Sequence, residues 1–188
     1  MTPKLPLQGS GEQAQLRDVT IGFSTQWGNL ISWLIRLFSK DFSHVWVRYW
    51  HPLYKMFVVI EAGFWGVVEV PYEAFRKKNQ NITELVTPPQ FNPDVGLERL
   101  GQELAKPYDF KSIIGRLWVF LMRWMGRKVR NPLGDAKSDA CVEMAIYYAQ
   151  AVDQNLNLAK IDPEVETPGS FYAQLVAAGW RPIAGPKS

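Results

Sequence analysis

Strand-like patterns occupy the first half of the chain and helix-like patterns the second half, and this order limits the fold more than any other feature. Ser43–Trp50 and Met56–Ala62 are both rich in β-branched and aromatic residues, which favours β-strands. Between them, His51–Lys55 has the composition of a hairpin loop. Three further strands are expected, at Val19–Ser24, Gly66–Val70 and Ile82–Thr87. Strands followed by helices are typical of an α+β fold, here a small antiparallel sheet packed by helices.

Apolar residues recur with helical spacing in several other segments. Helices are expected at Trp27–Phe38, Tyr72–Lys78, Val95–Ala105 and Phe110–Met125, from about Cys141, and from Thr167-Pro168 to Gly179. The prolines of Thr87–Pro93 predict a connecting loop between the strands and the later helices.

Length and composition predict one globular domain. The chain has 188 residues, of which 47% are hydrophobic and 21% are charged, as in ordinary folded domains. Residues 1–15 are expected to form a flexible N-terminal arm, and residues 16–188 a single domain. The net charge of +3 is too small to indicate specific nucleic-acid binding.

Neither a membrane protein nor a metal or cofactor protein is expected. The N-terminal arm lacks a basic start followed by an apolar run, so no signal peptide is predicted. Arg36, Arg116 and Arg123 interrupt the longest apolar stretches, so no spanning helix is predicted either. A cytoplasmic protein is therefore expected. The single cysteine excludes an internal disulfide. Together with only two histidines, it leaves too few ligands for a usual zinc site. The sequence has no glycine-rich phosphate loop.

Cys141, the only cysteine, lies where a helix is expected to begin. Free backbone N–H groups and the positive end of the helix dipole favour the thiolate at such a position. However, Cys141 also continues an apolar stripe through Met144, Ala145 and Tyr148, as a small core residue would. The spacing alone leaves both interpretations open.

His44 and Glu61 fall in neighbouring strands, and the strand period relates them. His44, Trp46 and Arg48 share one face of their strand, and Glu61 shares a face with Val59. In an antiparallel hairpin, the numbers of two paired residues have a constant sum. A sum of 105 puts His44 opposite Glu61, whereas a sum of 107 puts the two residues diagonal to each other on the same face. An even sum would separate them. In either of the two odd registers, the Glu61 carboxylate can accept a hydrogen bond from one imidazole nitrogen of His44.

Seven short segments, in order along the chain, carry a resemblance to a known family. They are Arg17–Ile21, Phe42–Val45, Val59–Ala62, Gly66–Val68, Lys106–Phe110, Ala140–Glu143 and Thr167-Pro168. In this order the chain resembles the circularly permuted branch of the papain-like NlpC/P60 superfamily of cysteine hydrolases. Arg17 and Val142 stand where that family usually has glycine and serine.

The resemblance implies a permuted papain-like fold with a catalytic cysteine at a helix N-terminus. It implies that Cys141 is the nucleophile, that His44 is the base and that Glu61 orients His44. Tyr108 would line the pocket or donate to the oxyanion, or it simply packs before a helix. The expected function is that of a cysteine amidase or peptidase acting through a thioacyl intermediate on a peptide or acyl-amide substrate, such as a cell-wall peptide. The alternatives are a lipid deacylase or acyltransferase and a non-catalytic binding or assembly module on the same fold.

Arg116–Arg130 mixes arginines with tryptophans and other large apolar residues. A basic, aromatic helix can lie at a membrane surface or contact an acidic partner. The favoured interpretation is a core helix that buries an apolar face including Trp118, Leu121 and Met125 and exposes a charged line. Membrane-surface contact is the alternative.

Overall fold

The structure is a computed structural model of the whole chain. It describes residues 19–26, 42–63, 66–104, 115, 118–119, 121–122, 125–127, 129, 141–153 and 166–183. The predicted N-terminal arm and the predicted helix at Trp27–Phe38 lie outside these residues.

Among the described residues, four strands come first, a short helix and a fifth strand follow, and longer helices make up most of the rest. The elements are β1 (Thr20–Gln26), β2 (His44–His51), β3 (Met56–Gly63), β4 (Gly66–Pro71), α1 (Tyr72–Arg76), β5 (Asn79–Val86), α2 (Pro93–Gly101), α3 (Cys141–Val152), α4 (Pro168–Ala177) and β6 (Arg181–Pro182). The predicted α+β fold with an antiparallel sheet is confirmed. In the described part of the chain, no helix is both long enough and apolar enough to cross a membrane.

The six described strands form one antiparallel sheet in the order β4-β3-β2-β1-β5-β6. β2 pairs with β3 so that Trp46 stands opposite Glu61. On its other side, β2 pairs with β1 so that Ser24 stands opposite His44 and Thr20 opposite Arg48. The central strand is therefore fixed along both edges, and its side chains alternate between two covered faces.

One face of the sheet, here called the helix face, carries the larger core. It presents Val45, Val47, Ile60 and Ala62 to apolar residues of α2, α3 and α4, and all of these are buried in one cluster. The other face, here called the histidine face, carries His44, Trp46, Arg48, Val59 and Glu61. Helix α1 covers part of it, since Phe75 is buried against Trp46 and Val59. The sheet is thus a middle layer, and its two faces differ in polarity.

Helix α3 crosses the helix face with its C-terminal half near the end of β2. The Tyr148 hydroxyl lies 2.7 Å from Thr87 Oγ1, and Thr87 is bonded to Val19, just before β1. Burial raises the pKa of Tyr148, which keeps the hydroxyl neutral. Because the Val19 end of the sheet is the Arg48 end of β2, Tyr148 anchors α3 at the end of β2 that lies away from His44.

Gly96 and Gly101 in α2 offer a matched pair for testing the α2–α3 contact. A Cβ at Gly96 would overlap the Tyr148 ring and Val152, whereas a Cβ at Gly101 meets nothing within 4 Å. We expect Gly96→Ala to lower the free energy of unfolding by about 2 kcal/mol through overpacking. Gly101→Ala should leave it unchanged or raise it by up to ~1 kcal/mol through helix propensity. Urea unfolding curves measure both, and equal effects would contradict the close approach of the two helices.

Candidate functional site

His44 and Glu61 form a close, nearly buried pair at one end of the histidine face. His44 Nε2 lies 2.7 Å from Glu61 Oε2, and the two side chains are 7% and 17% exposed. In the observed register the numbers of paired residues sum to 107, since Trp46 stands opposite Glu61. The numbers of His44 and Glu61 sum to 105, so these two residues are diagonal neighbours on one face. This is one of the two registers that the sequence leaves open, and it brings the two side chains together.

The carboxylate determines which imidazole nitrogen carries a hydrogen. An ionised Glu61 can only accept hydrogen bonds, so Nε2 of His44 is the donor in this pair. In the neutral ring, Nδ1 is then the basic nitrogen. A carboxylate that holds one imidazole nitrogen both fixes the ring and favours its protonated form. The pair therefore has the arrangement of a general base with its orienting partner.

A chain of buried hydrogen bonds lies beside His44. Trp46 Nε1 donates to Ser24 Oγ at 3.1 Å, and Ser24 Oγ donates to Asn79 Oδ1 at 3.0 Å. Asn79 Nδ2 then donates to the backbone oxygen of Phe75 at 3.0 Å. The Phe75 ring stacks beside His44, with the ring centroids 6.1 Å apart. Three strands (β1, β2 and β5) and α1 are thus joined by hydrogen bonds beside His44.

These supporting residues were not identified from the sequence. The alternation of β2 places Trp46 on the face of His44, and that signal is present in the sequence. Ser24 and Asn79 meet only because β1 pairs with β5 across a register shift between Phe23 and Thr25. No local pattern carries that long-range register.

Cys141 is the first residue of α3, as the sequence predicts, and its side chain lies outside the described residues. The body of α3 packs on the helix face, whereas His44 points from the histidine face. The two cannot meet across a shared face of the sheet. They can meet only around an end or an edge of the sheet.

The remaining predicted site residues are distributed differently. Tyr108 lies outside the described residues. His51, the second histidine, lies at the far end of β2, where Nδ1 accepts a hydrogen bond from the backbone N–H of Tyr54 at 3.2 Å. It is thus held within the β2–β3 turn, away from His44. In the described ranges, no group of three histidine, cysteine, aspartate or glutamate side chains is placed to hold a metal ion.

The segment 115–127 exposes part of its apolar surface. Val119 and Met122 are buried, whereas Trp118, Leu121 and Met125 are between 40% and 50% exposed. The favoured interpretation of a core helix is therefore incorrect for these three residues. Val119 and Met122 take the buried positions, so the other described apolar side chains of the segment remain partly exposed.

A second polar network lies farther along the histidine face. Arg48 Nε donates to Glu84 Oε2 at 2.7 Å, and Thr20 Oγ1 donates to the same oxygen at 2.9 Å. The Tyr72 hydroxyl donates to Glu84 Oε1. Arg48 and Glu84 are only 11% and 10% exposed, and an ion pair at such depth requires its hydrogen bonds.

Comparisons of the chain with models of protein families and with curated protein sequences gave no match.

Proposed function

We propose that this protein is a cysteine hydrolase of the permuted papain-like type, an amidase or peptidase that works through a thioacyl intermediate. The observation that carries the proposal is the 2.7 Å contact between His44 Nε2 and Glu61 Oε2. Cys141 supports it as the first residue of a helix that packs on the same sheet. The resemblance to the NlpC/P60 superfamily assigns these same three residues the three roles.

In this mechanism the thiol proton of Cys141 passes to Nδ1 of His44, and Glu61 stabilises the imidazolium through Nε2. The thiolate attacks the carbonyl carbon of an amide or ester. The backbone N–H of Cys141 is at a helix N-terminus and can donate to the developing oxyanion. His44 then returns the proton to the leaving amine or alcohol as the C–N or C–O bond breaks. Water, deprotonated by His44, releases the acyl group from sulfur.

A lipid-linked acyl substrate is the second candidate, and the exposed Trp118, Leu121 and Met125 favour it. Exposed apolar side chains beside basic residues are typical of segments that lie at a membrane surface. The chemistry at Cys141 would be the same, and only the acyl donor would differ.

We expect the full-length protein to gain the mass of an acyl group on Cys141 when it is mixed with a suitable substrate. A panel of short activated esters, acyl-peptide amides and short-chain phospholipids is incubated with the protein and quenched in acid, and intact mass is recorded. Cys141→Ala is the matched control and should gain no mass. Acylation by the peptide amides supports the amidase, and acylation by phospholipid alone supports the second candidate. Equal labelling of the wild-type and Cys141→Ala proteins by every compound would overturn both.

A further inference from the structure

A groove on the histidine face has the chemistry of an anion site. It has a volume of about 430 Å³ and is lined by Arg48, Tyr72, Arg76, Ile82, Thr83, Glu84 and Ile183. It lies between α1 and strands β5 and β6, on the opposite side of the sheet from α3. Among the described side chains, His44 and Glu61 do not line it.

Arg48 is held in the groove with its guanidinium only partly used. The residue is more than nine-tenths buried, and its carbon Cζ lies 4.5 Å from the Phe57 ring centroid and 5.2 Å from that of Tyr72. Within the described part of the chain, Nε is the one guanidinium nitrogen with a protein acceptor, which is Glu84. A guanidinium has five N–H donors in a fixed plane. The ring contacts and the Nε bond therefore fix the plane of four further N–H donors at the groove.

A second guanidinium contacts the same tyrosine. Arg76 Cζ lies 5.7 Å from the Tyr72 ring centroid, and the Arg76 side chain is 54% exposed. Its contact with Glu73 is 3.8 Å long, and Glu73 is 80% exposed, so solvent screens this pair and leaves Arg76 available. Tyr72 thus contacts two arginines, the buried Arg48 and the half-exposed Arg76.

The charges that line the groove favour an anion. Among the described lining residues, Arg48 and Arg76 are cations and Glu84 is the one anion, so these residues together carry a net positive charge. Glu84 is already occupied on both oxygens by Tyr72, Thr20 and Arg48. Burial and the hydrogen bond to Glu84 raise the pKa of Tyr72, which keeps that hydroxyl a neutral donor to Glu84. Ile82 and Ile183 add apolar surface beside the cations.

We propose that this groove binds a ligand that bears an oxyanion, a carboxylate or a phosphate, joined to an apolar group. The Arg48 guanidinium binds two oxygens of the carboxylate or phosphate in a two-point contact, which is the geometry that guanidinium favours. Arg76 closes over the outer side of the oxyanion, and the apolar part packs on Tyr72, Ile82 and Ile183. Binding does not depend on the proposed hydrolase activity.

Hippurate, hippuramide and phenyl phosphate test this site by isothermal titration into full-length protein that carries Cys141→Ala. Hippurate has a carboxylate where hippuramide has a neutral amide, and the two are otherwise the same. Hippurate should therefore bind at least about tenfold more tightly, as expected for charge-assisted hydrogen bonds. Binding should weaken as salt rises. Tighter binding of phenyl phosphate than of hippurate would identify phosphate as the preferred oxyanion, and the reverse would identify carboxylate.

Three variants locate the binding. Arg76→Gln should weaken the binding of hippurate and phenyl phosphate about fivefold or more, because one charged donor is lost. Arg48→Lys keeps the charge but loses the planar fork, and it should weaken binding similarly. Lys77→Gln removes the same charge one residue away from Arg76, outside the groove, and should change binding less than twofold. Equal binding of hippurate and hippuramide, or equal effects of Arg76→Gln and Lys77→Gln, would overturn the proposal.

Discussion

His44→Ala is expected to slow acylation of Cys141 by about 10²–10⁴-fold, the usual contribution of a positioned general base. Removal of the imidazole takes away the base that accepts the thiol proton, so less thiolate is present near neutral pH. It also leaves Glu61, which the structure places 2.7 Å from Nε2, without that partner. The acylation rate follows from the mass increase at Cys141 over time with the best ester of the substrate panel.

Two variants make this result specific. Glu61→Gln keeps the size of the side chain and an oxygen acceptor for Nε2, but it removes the charge that stabilises the imidazolium. We expect a smaller loss, about tenfold, since a neutral hydrogen bond has roughly half the strength of a charge-assisted one. His51→Ala removes the other histidine and should change the rate less than twofold. Equal losses in His44→Ala and His51→Ala would show that His44 has no special role.

Gly22→Ala is expected to lower the free energy of unfolding by about 2–3 kcal/mol, because it overpacks a filled site. The indole of Trp46 lies directly over Gly22, which stands opposite it in β1, and a Cβ on Gly22 would overlap the six-membered ring. Trp46 is fully buried and packs 4.8 Å from the Phe75 ring centroid. The indole has no space into which it can move.

A double-mutant cycle tests this contact directly. Trp46→Leu removes the ring above Gly22 and should itself cost about 2–4 kcal/mol as a cavity forms. In that background Gly22→Ala should cost less than ~0.5 kcal/mol, because the new methyl group enters vacated space. Chemical unfolding of the four proteins gives the coupling energy. Strictly additive losses would contradict the placement of Trp46 on Gly22.

The sequence predicts the main elements because their patterns are local. The alternation in β2 and β3 places His44 and Glu61 on one face, and the four-residue connection Pro52–Lys55 between the strands fixes the register at Trp46 opposite Glu61. The start of α3 at Cys141 also follows the predicted position. Short-range periodicity is sufficient for the elements and for the two registers that put His44 and Glu61 on one face, and the structure shows which of the two is formed.

Other features depend on contacts that no local pattern encodes. β5 begins at Asn79, three residues before its predicted start, because Asn79 is held by Ser24 and Phe75 despite the low strand propensity of asparagine. α2 begins at Pro93, two residues before its predicted start, since the Asn92 side chain caps it. β6 has only two residues, too few for any periodicity. The Arg48–Glu84 pair joins β2 to β5, which are not adjacent in the sheet.

The rate of alkylation of Cys141 by iodoacetamide, measured from pH 5 to pH 10, tests the central claim most directly. The single cysteine of the chain makes the signal unambiguous in intact-mass or peptide-mass data. If His44 activates Cys141, the rate should remain substantial at pH 6 and rise with an inflection well below pH ~8.5, the ordinary thiol value. His44→Ala should raise that inflection and slow the reaction at pH 6 about tenfold, since greater thiolate content is partly offset by lower nucleophilicity. Identical profiles for the two proteins, or a wild-type Cys141 that reacts only after denaturation, would contradict the claim.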